Sequence, residues 1–517
     1  MSHAIVSALI RMAQGLAMSA PTLLVGLLVA GVFRFYMTPA QLRKFFGGES
    51  IASLPVSWLI GMLLPVCSIG VLPILREMHR AKVRPGAMTA FALSAPLFNP
   101  LSLLYGLTLS RPIVVIAFAL CSLAVVSLLG SIWDRVASKR DASNDHSDSS
   151  EEVSEDGSKV IGLKRLLALL VMVTRESVGS LAGFVLIALL GLGLLGAFLP
   201  YGALQSSFEM NDIMAPARMT FLSVPIYATP MLAMSQLGMM FQHCNSPGAA
   251  LALLLLGTGV NFATIAWLIS KYGWKSTAVW FGSLIAIVLA LAYAVDRPLM
   301  LPGSQPAGHT HAFDGYATPL HPTSILSWPT LKDTLLKPIG IAEYAGLLGL
   351  AVVASIGLLF RWLGVREDRF NDREVQAITA YDRIVPGPVL AVTVLIGLVA
   401  FSVVACFAYY PHPKESLAEI SAIRGEVFSA ARSGNAEQAL HWLELWDDWS
   451  RRLEVATFLR TGRVRPYQQM QGFIVRKKLE LLEHSLEEEP LDQREVNDHL
   501  MQLLSSDNRW RNAFRME

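Results

Sequence analysis

Charge is scarce in most of this chain. Only 16% of its 517 residues are Asp, Glu, Lys or Arg, while 53% are apolar; an ordinary soluble chain carries roughly 25% charge. The scarcity is regional. Residues 1–410 hold 49 charged side chains, whereas residues 411–517 hold 33, so the first part is too apolar for a water-soluble domain and the last 107 residues have a soluble composition. Four cysteines are too few for a disulfide framework. A net charge of +2 provides no basic domain for nucleic acid. No Gly-x-x-x-x-Gly-Lys-[Ser/Thr] phosphate loop, His-Glu-x-x-His motif or nucleophile–base grouping occurs, and nothing calls for a cofactor, so an ATP motor and an enzyme are both disfavoured. Carboxylates are nearly missing from the apolar stretches, with Glu77, Glu176 and Glu343 at their ends, which argues against a relay of buried acids.

What remains is a set of long apolar runs. A membrane helix takes about 20 such residues. Ten runs qualify: 15–36, 52–75, 86–108, 112–132, 177–199, 216–240, 248–270, 274–295, 341–363 and 387–409. Lipid tolerates helices and closed barrels but no open sheet edge, so these runs are expected to be helices. The fold class expected is all-α: a polytopic membrane helix bundle, an internally duplicated four-span unit with broken helices, and a C-terminal soluble helical domain. The segments are 1–133 and 164–296 as two repeats, 134–163 as an acidic, serine-rich linker, 297–340 as a His/Pro-rich loop, 341–410 as two added spans, and 411–517 as the helical tail. Lys and Arg in the short loops favour a cytoplasmic N-terminus and linker.

The duplication rests on polar and proline landmarks at one offset. Pro85-Gly86-Ala87 recurs 162 residues later as Pro247-Gly248-Ala249, and Asn99 recurs as Asn261. Before these, Val66 to Pro73 lines up with Ser223 to Pro230. Duplicated halves with interrupted helices mark transporters, whose substrate site lies at the repeat interface. The candidate substrate residues are therefore Cys67, Ser68, Pro73, Asn99, Pro100, Pro225, Pro230 and Asn261. Proline removes a backbone donor and frees carbonyls; asparagine caps half-helices and offers an amide to a substrate. Parallel repeats of four spans, and inverted repeats with one re-entrant segment per half, both remain open. A loop run, His309-Thr310-His311-Ala312-Phe313-Asp314, offers His309, His311 and Asp314 as a candidate metal set.

The stretches Pro65-Val66-Cys67-Ser68-Ile69-Gly70-Val71-Leu72-Pro73, Pro85-Gly86-Ala87 and Ser94-Ala95-Pro96-Leu97-Phe98-Asn99-Pro100 resemble a widespread bacterial predicted-permease family that includes organoarsenical efflux permeases. The resemblance covers about residues 1–300. It implies a multi-pass permease of the cell inner membrane, whose motif cysteines bind trivalent arsenic in the arsenical-exporting members. Here Cys67 matches the first motif cysteine and Ile69 stands at the second, so the paired soft ligand is missing. The partners expected are membrane lipid and a small-molecule or ion substrate, with a protein partner or a second copy of the chain engaged through residues 411–517. A membrane scaffold or sensor that works through that tail is the alternative.

Overall fold

A computed structural model of the protein describes residues 2–98, 100–109, 112–144, 163–204, 208–300, 310, 312–320, 326–336, 339–366, 387–488 and 490–515. Among these residues all regular structure is helical, apart from one isolated antiparallel bridge between Glu209 and Asn245.

The chain begins with α1 (Ser2–Tyr36), then a short α2 (Pro39–Phe45). The start of α2 is set locally. Pro39 needs no amide partner in the first turn, and the Thr38 side chain accepts from the Gln41 amide while Gln41 reaches back to the Thr38 amide. Next come α3 (Ser53–Leu63), α4 (Val71–Arg80), α5 (Pro85–Ser94), α6 (Pro100–Leu109) and the long α7 (Pro112–Asn144). The series continues with α8 (Leu163–Ser177), α9 (Ser180–Phe198), α10 (Ala215–Leu222), α11 (Pro230–Gln242) and α12 (Pro247–Ala252). A π-helical turn over Leu253–Thr258 follows α12 and leads to α13 (Phe262–Leu299). Gly273 (φ 72°) interrupts α13, so residues 262–272 and 274–299 run as two pieces. Beyond it lie α14 (Trp328–Leu336), α15 (Ile341–Trp362) and α16 (Gly387–Tyr409).

Among the described residues six helices are long and apolar enough to cross a membrane: α1, α7, α9, α13, α15 and α16. The sequence offered ten apolar runs, with broken helices expected in the duplicated unit. Four of those runs are divided. The run 52–75 forms α3 and α4, 86–108 forms α5 and α6, 216–240 forms α10 and α11, and 248–270 forms α12, its π turn and the first piece of α13. Each division falls at proline or glycine: Pro65, Pro96, Pro225 and the pair Gly257 and Gly259. A missing amide or an unconstrained backbone ends the helix there, and the chain must find other partners for the freed groups.

Residues 413–515 fold as four helices, α17 (Pro413–Arg432), α18 (Ala436–Thr461), α19 (Pro466–Glu487) and α20 (Gln493–Arg515). Gly434 and Gly462 (both φ 72°) sit in left-handed turns that end α17 and α18. Ile420, Val427, Trp446, Val475, Leu503 and Trp510 form the centre of their core. An ion pair is buried with it, Arg476 to Glu454 at 2.6 Å, and a second joins half-buried Arg424 to buried Asp507 at 2.9 Å. By compactness the chain divides into one unit of residues 1–102 and 113–401, and a second of residues 103–112 and 402–517. The longer segment of the second unit thus begins inside α16, ahead of the composition boundary at Tyr410.

Candidate functional site

Two chain breaks dominate the first unit. In the first, α3 stops at Leu63, Leu64 is extended, and Val66 donates to the Leu64 carbonyl at 2.8 Å. The chain re-enters a helix as Val71 donates to the Cys67 carbonyl at 3.0 Å. The Gly70 amide donates to the Cys67 sulfur at 3.4 Å. In the second break α10 stops at Leu222, residues 226–229 are non-helical, and α11 starts at Pro230, the Thr229 hydroxyl accepting from the Leu232 amide. The Ala228 amide finds its acceptor far along the chain, in the Gly257 carbonyl at 2.9 Å, which lies in the π turn.

Both breaks are pressed against a long helix at a glycine. A Cβ on Gly26 of α1 would collide with the Gly70 carbonyl, and one on Gly191 of α9 would collide with the Pro225 carbonyl. Backbone touches backbone at both places, which only glycine permits.

The breaks also meet each other. Tyr227, from the second break, lies beside Cys67 of the first and Ser19 of α1. Gly259 approaches the Leu93 carbonyl at the end of α5, at 3.3 Å from where its Cβ would stand. Asn261 caps α13, its side-chain oxygen accepting from the Thr264 amide at 2.9 Å and the Thr264 hydroxyl at 3.3 Å. Three polar groups in these segments are buried without a hydrogen-bond partner among the described residues: the hydroxyls of Ser68 and Ser223, and the Asn261 amide nitrogen. An unsatisfied buried donor costs about 1–3 kcal/mol, so its retention calls for an explanation such as a ligand or water. A cavity of about 10 Å³, which none of these groups lines, is walled by residues that include Leu93, Thr264, Trp133, Trp267, Tyr272 and Trp280. That volume holds about one water.

Of the residues singled out from sequence, the structure brings Cys67 to Tyr227, places Ser68 in the first break, Pro73 in the first turn of α4, Pro225 in the second break and Asn261 at the head of α13. Pro100 and Pro230 open α6 and α11. Asn99, His309 and His311 lie outside the described residues. Asp314 begins a single 3-10 turn, and its backbone carbonyl accepts from Arg11 at 2.9 Å. No group of three His, Cys, Asp or Glu side chains placed to hold a metal occurs among the described residues. All four cysteines are free thiols.

Two carboxylates escaped the sequence reading. Asp134 accepts from the Gly86 amide at 2.7 Å, and Arg84 pairs with it at 2.7 Å. Asp296 accepts from the Gly248 amide at 2.9 Å and from the Ser246 hydroxyl at 2.5 Å. Both acids are 7% exposed. They hold the two Pro-Gly-Ala helix starts, and each glycine would meet the carbonyl of Gly130 or Ala292 if it carried a side chain. Asp134 stood at the head of the charged linker and Asp296 at the end of an apolar run, so both looked solvated. Their signal was present: they are separated by the same 162 residues as the glycines they cap.

The family described as a predicted permease, ArsP_1, matches residues 7–296. The chain belongs to this permease family. The match includes both breaks, both Pro-Gly-Ala starts and both capping acids. Two curated relatives of the permease are similar over a shorter stretch. One, from Streptococcus mutans serotype c, is described as a subunit of a two-component membrane permease complex; the other is UPF0718 protein YcgR of Bacillus subtilis. Each is 28% identical over 83 residues, 16% of this chain and 28% of the relative. The chain thus spans little more than a quarter of the length of the curated relatives it matches. No solved structure matches the permease.

Proposed function

We propose that this permease carries a small solute across the cell inner membrane by secondary transport, uptake or efflux, through the paired breaks at the interface of two duplicated halves. The observation that carries the proposal is the meeting of the breaks around Cys67 and Tyr227, with buried hydroxyl and amide groups left without partners. Such groups are what a solute rich in hydrogen-bond acceptors would satisfy. Discontinuous helices near the middle of a membrane protein are the usual frame for this kind of site. Duplication is supported by recurring element starts. Ser53 and Ala215, Pro85 and Pro247, and Pro112 and Trp274 each open a helix or helix piece, and each pair is 162 residues apart. The capping acids Asp134 and Asp296 keep that interval too.

The test begins with a sensitivity screen of a deletion strain against metalloids and antimicrobials, then measures flux of the responding solute in proteoliposomes. Tyr227→Phe and Asn261→Leu are each expected to lower flux at least ~10-fold, the effect of losing about 1.4 kcal/mol or more of solute binding; thermal unfolding should be little changed in Tyr227→Phe, whereas Asn261→Leu also gives up the cap of α13, at about 1 kcal/mol. Wild-type flux in both variants would remove the site. A protein partner for the tail is supported by the relative described as a subunit of a two-component complex. Pull-down by the full chain but not by a chain ending at residue 412 is the expected result.

A further inference from the structure

Charge in the tail is unevenly placed. From Val455 to Leu479 there are six basic residues and no acid, while the rest of residues 411–517 holds nine bases and eighteen acids. Exposed apolar bulk follows the same bias. Of the large hydrophobic side chains exposed on α17–α20, Tyr467, Met470, Phe473 and Leu481 belong to α19, and Met501 alone lies elsewhere. Tyr467, Met470 and Phe473 recur at three-residue steps and so share a face. The opposite face, with Gln468, Gln471, Val475 and Leu479, is buried in the bundle.

Position adds a second argument. The apolar span of α16 ends at Tyr409. Within the same compact unit the Arg452 guanidinium stacks over the Tyr409 ring at 4.6 Å, and Arg460 stacks over the Phe407 ring at 5.7 Å. Arg460 is in the last turn of α18. The turn that follows, with Arg463 and Arg465 exposed, and the start of α19 are therefore held near the level where α16 leaves its apolar span.

We propose that the outer face of α19 docks on the membrane surface, with Arg463 and Arg465 on anionic phospholipid headgroups and Tyr467, Met470 and Phe473 at the acyl boundary. Aromatic and Met side chains beside arginines suit that layer, where one end of each side chain is dry and the other wet. Basic residues near an anionic leaflet contribute about 1 kcal/mol each, a factor of about five. Further along α19, Arg476 is buried against Glu454, Lys477 pairs with Glu480, and Lys478 donates to Gln502. Glu480, seven residues after Phe473, shares that face and is paired there with Lys477 at 2.9 Å.

The test uses the full chain in nanodiscs of phosphatidylglycerol or of phosphatidylcholine. Cys244, the half-exposed cysteine, is replaced by Ser, and a fluorophore is placed at Gln469→Cys or, as control, at His441→Cys on α18. Quenching by lipids spin-labelled near the headgroup is expected at position 469 in phosphatidylglycerol and absent at 441. The docked-to-free ratio should fall about five-fold for each of Arg463→Gln and Arg465→Gln, and fall again in high salt. Equal quenching in the two lipids, or quenching indifferent to both substitutions, would overturn the proposal. So would an unquenched 469 label in phosphatidylglycerol, even where a second protein protects the face.

Discussion

Asp134 and Asp296 perform the same task with different company. Each accepts the amide of a glycine that opens a short helix, in a place where water is excluded. The first half adds a guanidinium, Arg84, and the second adds a hydroxyl, Ser246, at the corresponding position. The common element is the carboxylate on the helix start, which satisfies a free amide and complements the positive end of the helix dipole. The second donor is interchangeable in kind, and its kind sets the local charge. The first half closes its cap with an ion pair whose arginine is 21% exposed, whereas the second half closes with a neutral donor that is fully buried.

That difference can be broken by substitution. Asp296→Ala strands the Gly248 amide and the Ser246 hydroxyl together, and bonds to a buried charged group contribute about 1.5–3 kcal/mol each. A loss of roughly 3–5 kcal/mol is expected, measured by thermal unfolding of the purified protein in detergent. Asp134→Ala should cost less, about 2 kcal/mol, since Arg84 retains the Ser50 carbonyl at 2.8 Å and some access to water. Equal losses would show that the partner's kind does not matter. Ser246→Ala and Arg84→Ala sharpen the same contrast at about 1 kcal/mol apiece, with salt weakening only the effect of Arg84.

The tail gives the smallest effect and the opposite electrostatics. Burial, only partly offset by Arg476 and Arg451, raises the Glu454 carboxyl above its ordinary value. Burial raises Asp507 in the same way, only partly offset by Arg511 and Arg424. A folded acid with a raised pKa holds its proton more tightly than the unfolded chain does. Its contribution is therefore greatest below the ordinary carboxylate range and is lost as pH rises through that range to the raised folded value. Tryptophan fluorescence of the full chain should report a bundle that melts lower at neutral than at mildly acidic pH, and Glu454→Gln should flatten that slope.

Much of this architecture was legible because breakers and caps act locally. Pro230 and Thr229 open α11, Asn261 opens α13, and the Pro-Gly-Ala triplets open α5 and α12, all from residue types that favour a helix start. Apolar length was a poorer guide. It could not tell a span from two half-helices such as α3 and α4, because hydropathy does not register where the backbone turns. Tyr227 was passed over for a related reason: it sits opposite Gly70 in the aligned breaks and carried no polar or proline landmark, so only packing reveals its approach to Cys67. Asp134 and Asp296 were hidden by their places beside charged or loop-like sequence. Their burial depends on the helix starts that dock on them, a contact between residues 48 positions apart.

The bond from the Ala228 amide to the Gly257 carbonyl has a consequence for synthesis. The second break cannot settle as it emerges, since its acceptor belongs to a π turn translated later. Until that turn is made, the Ala228 amide lacks the acceptor it has in the folded chain. The first break closes on its own neighbours through Cys67 and Gly70. The first break therefore has its local acceptors as soon as it is made, whereas the second waits for residues some thirty positions further on.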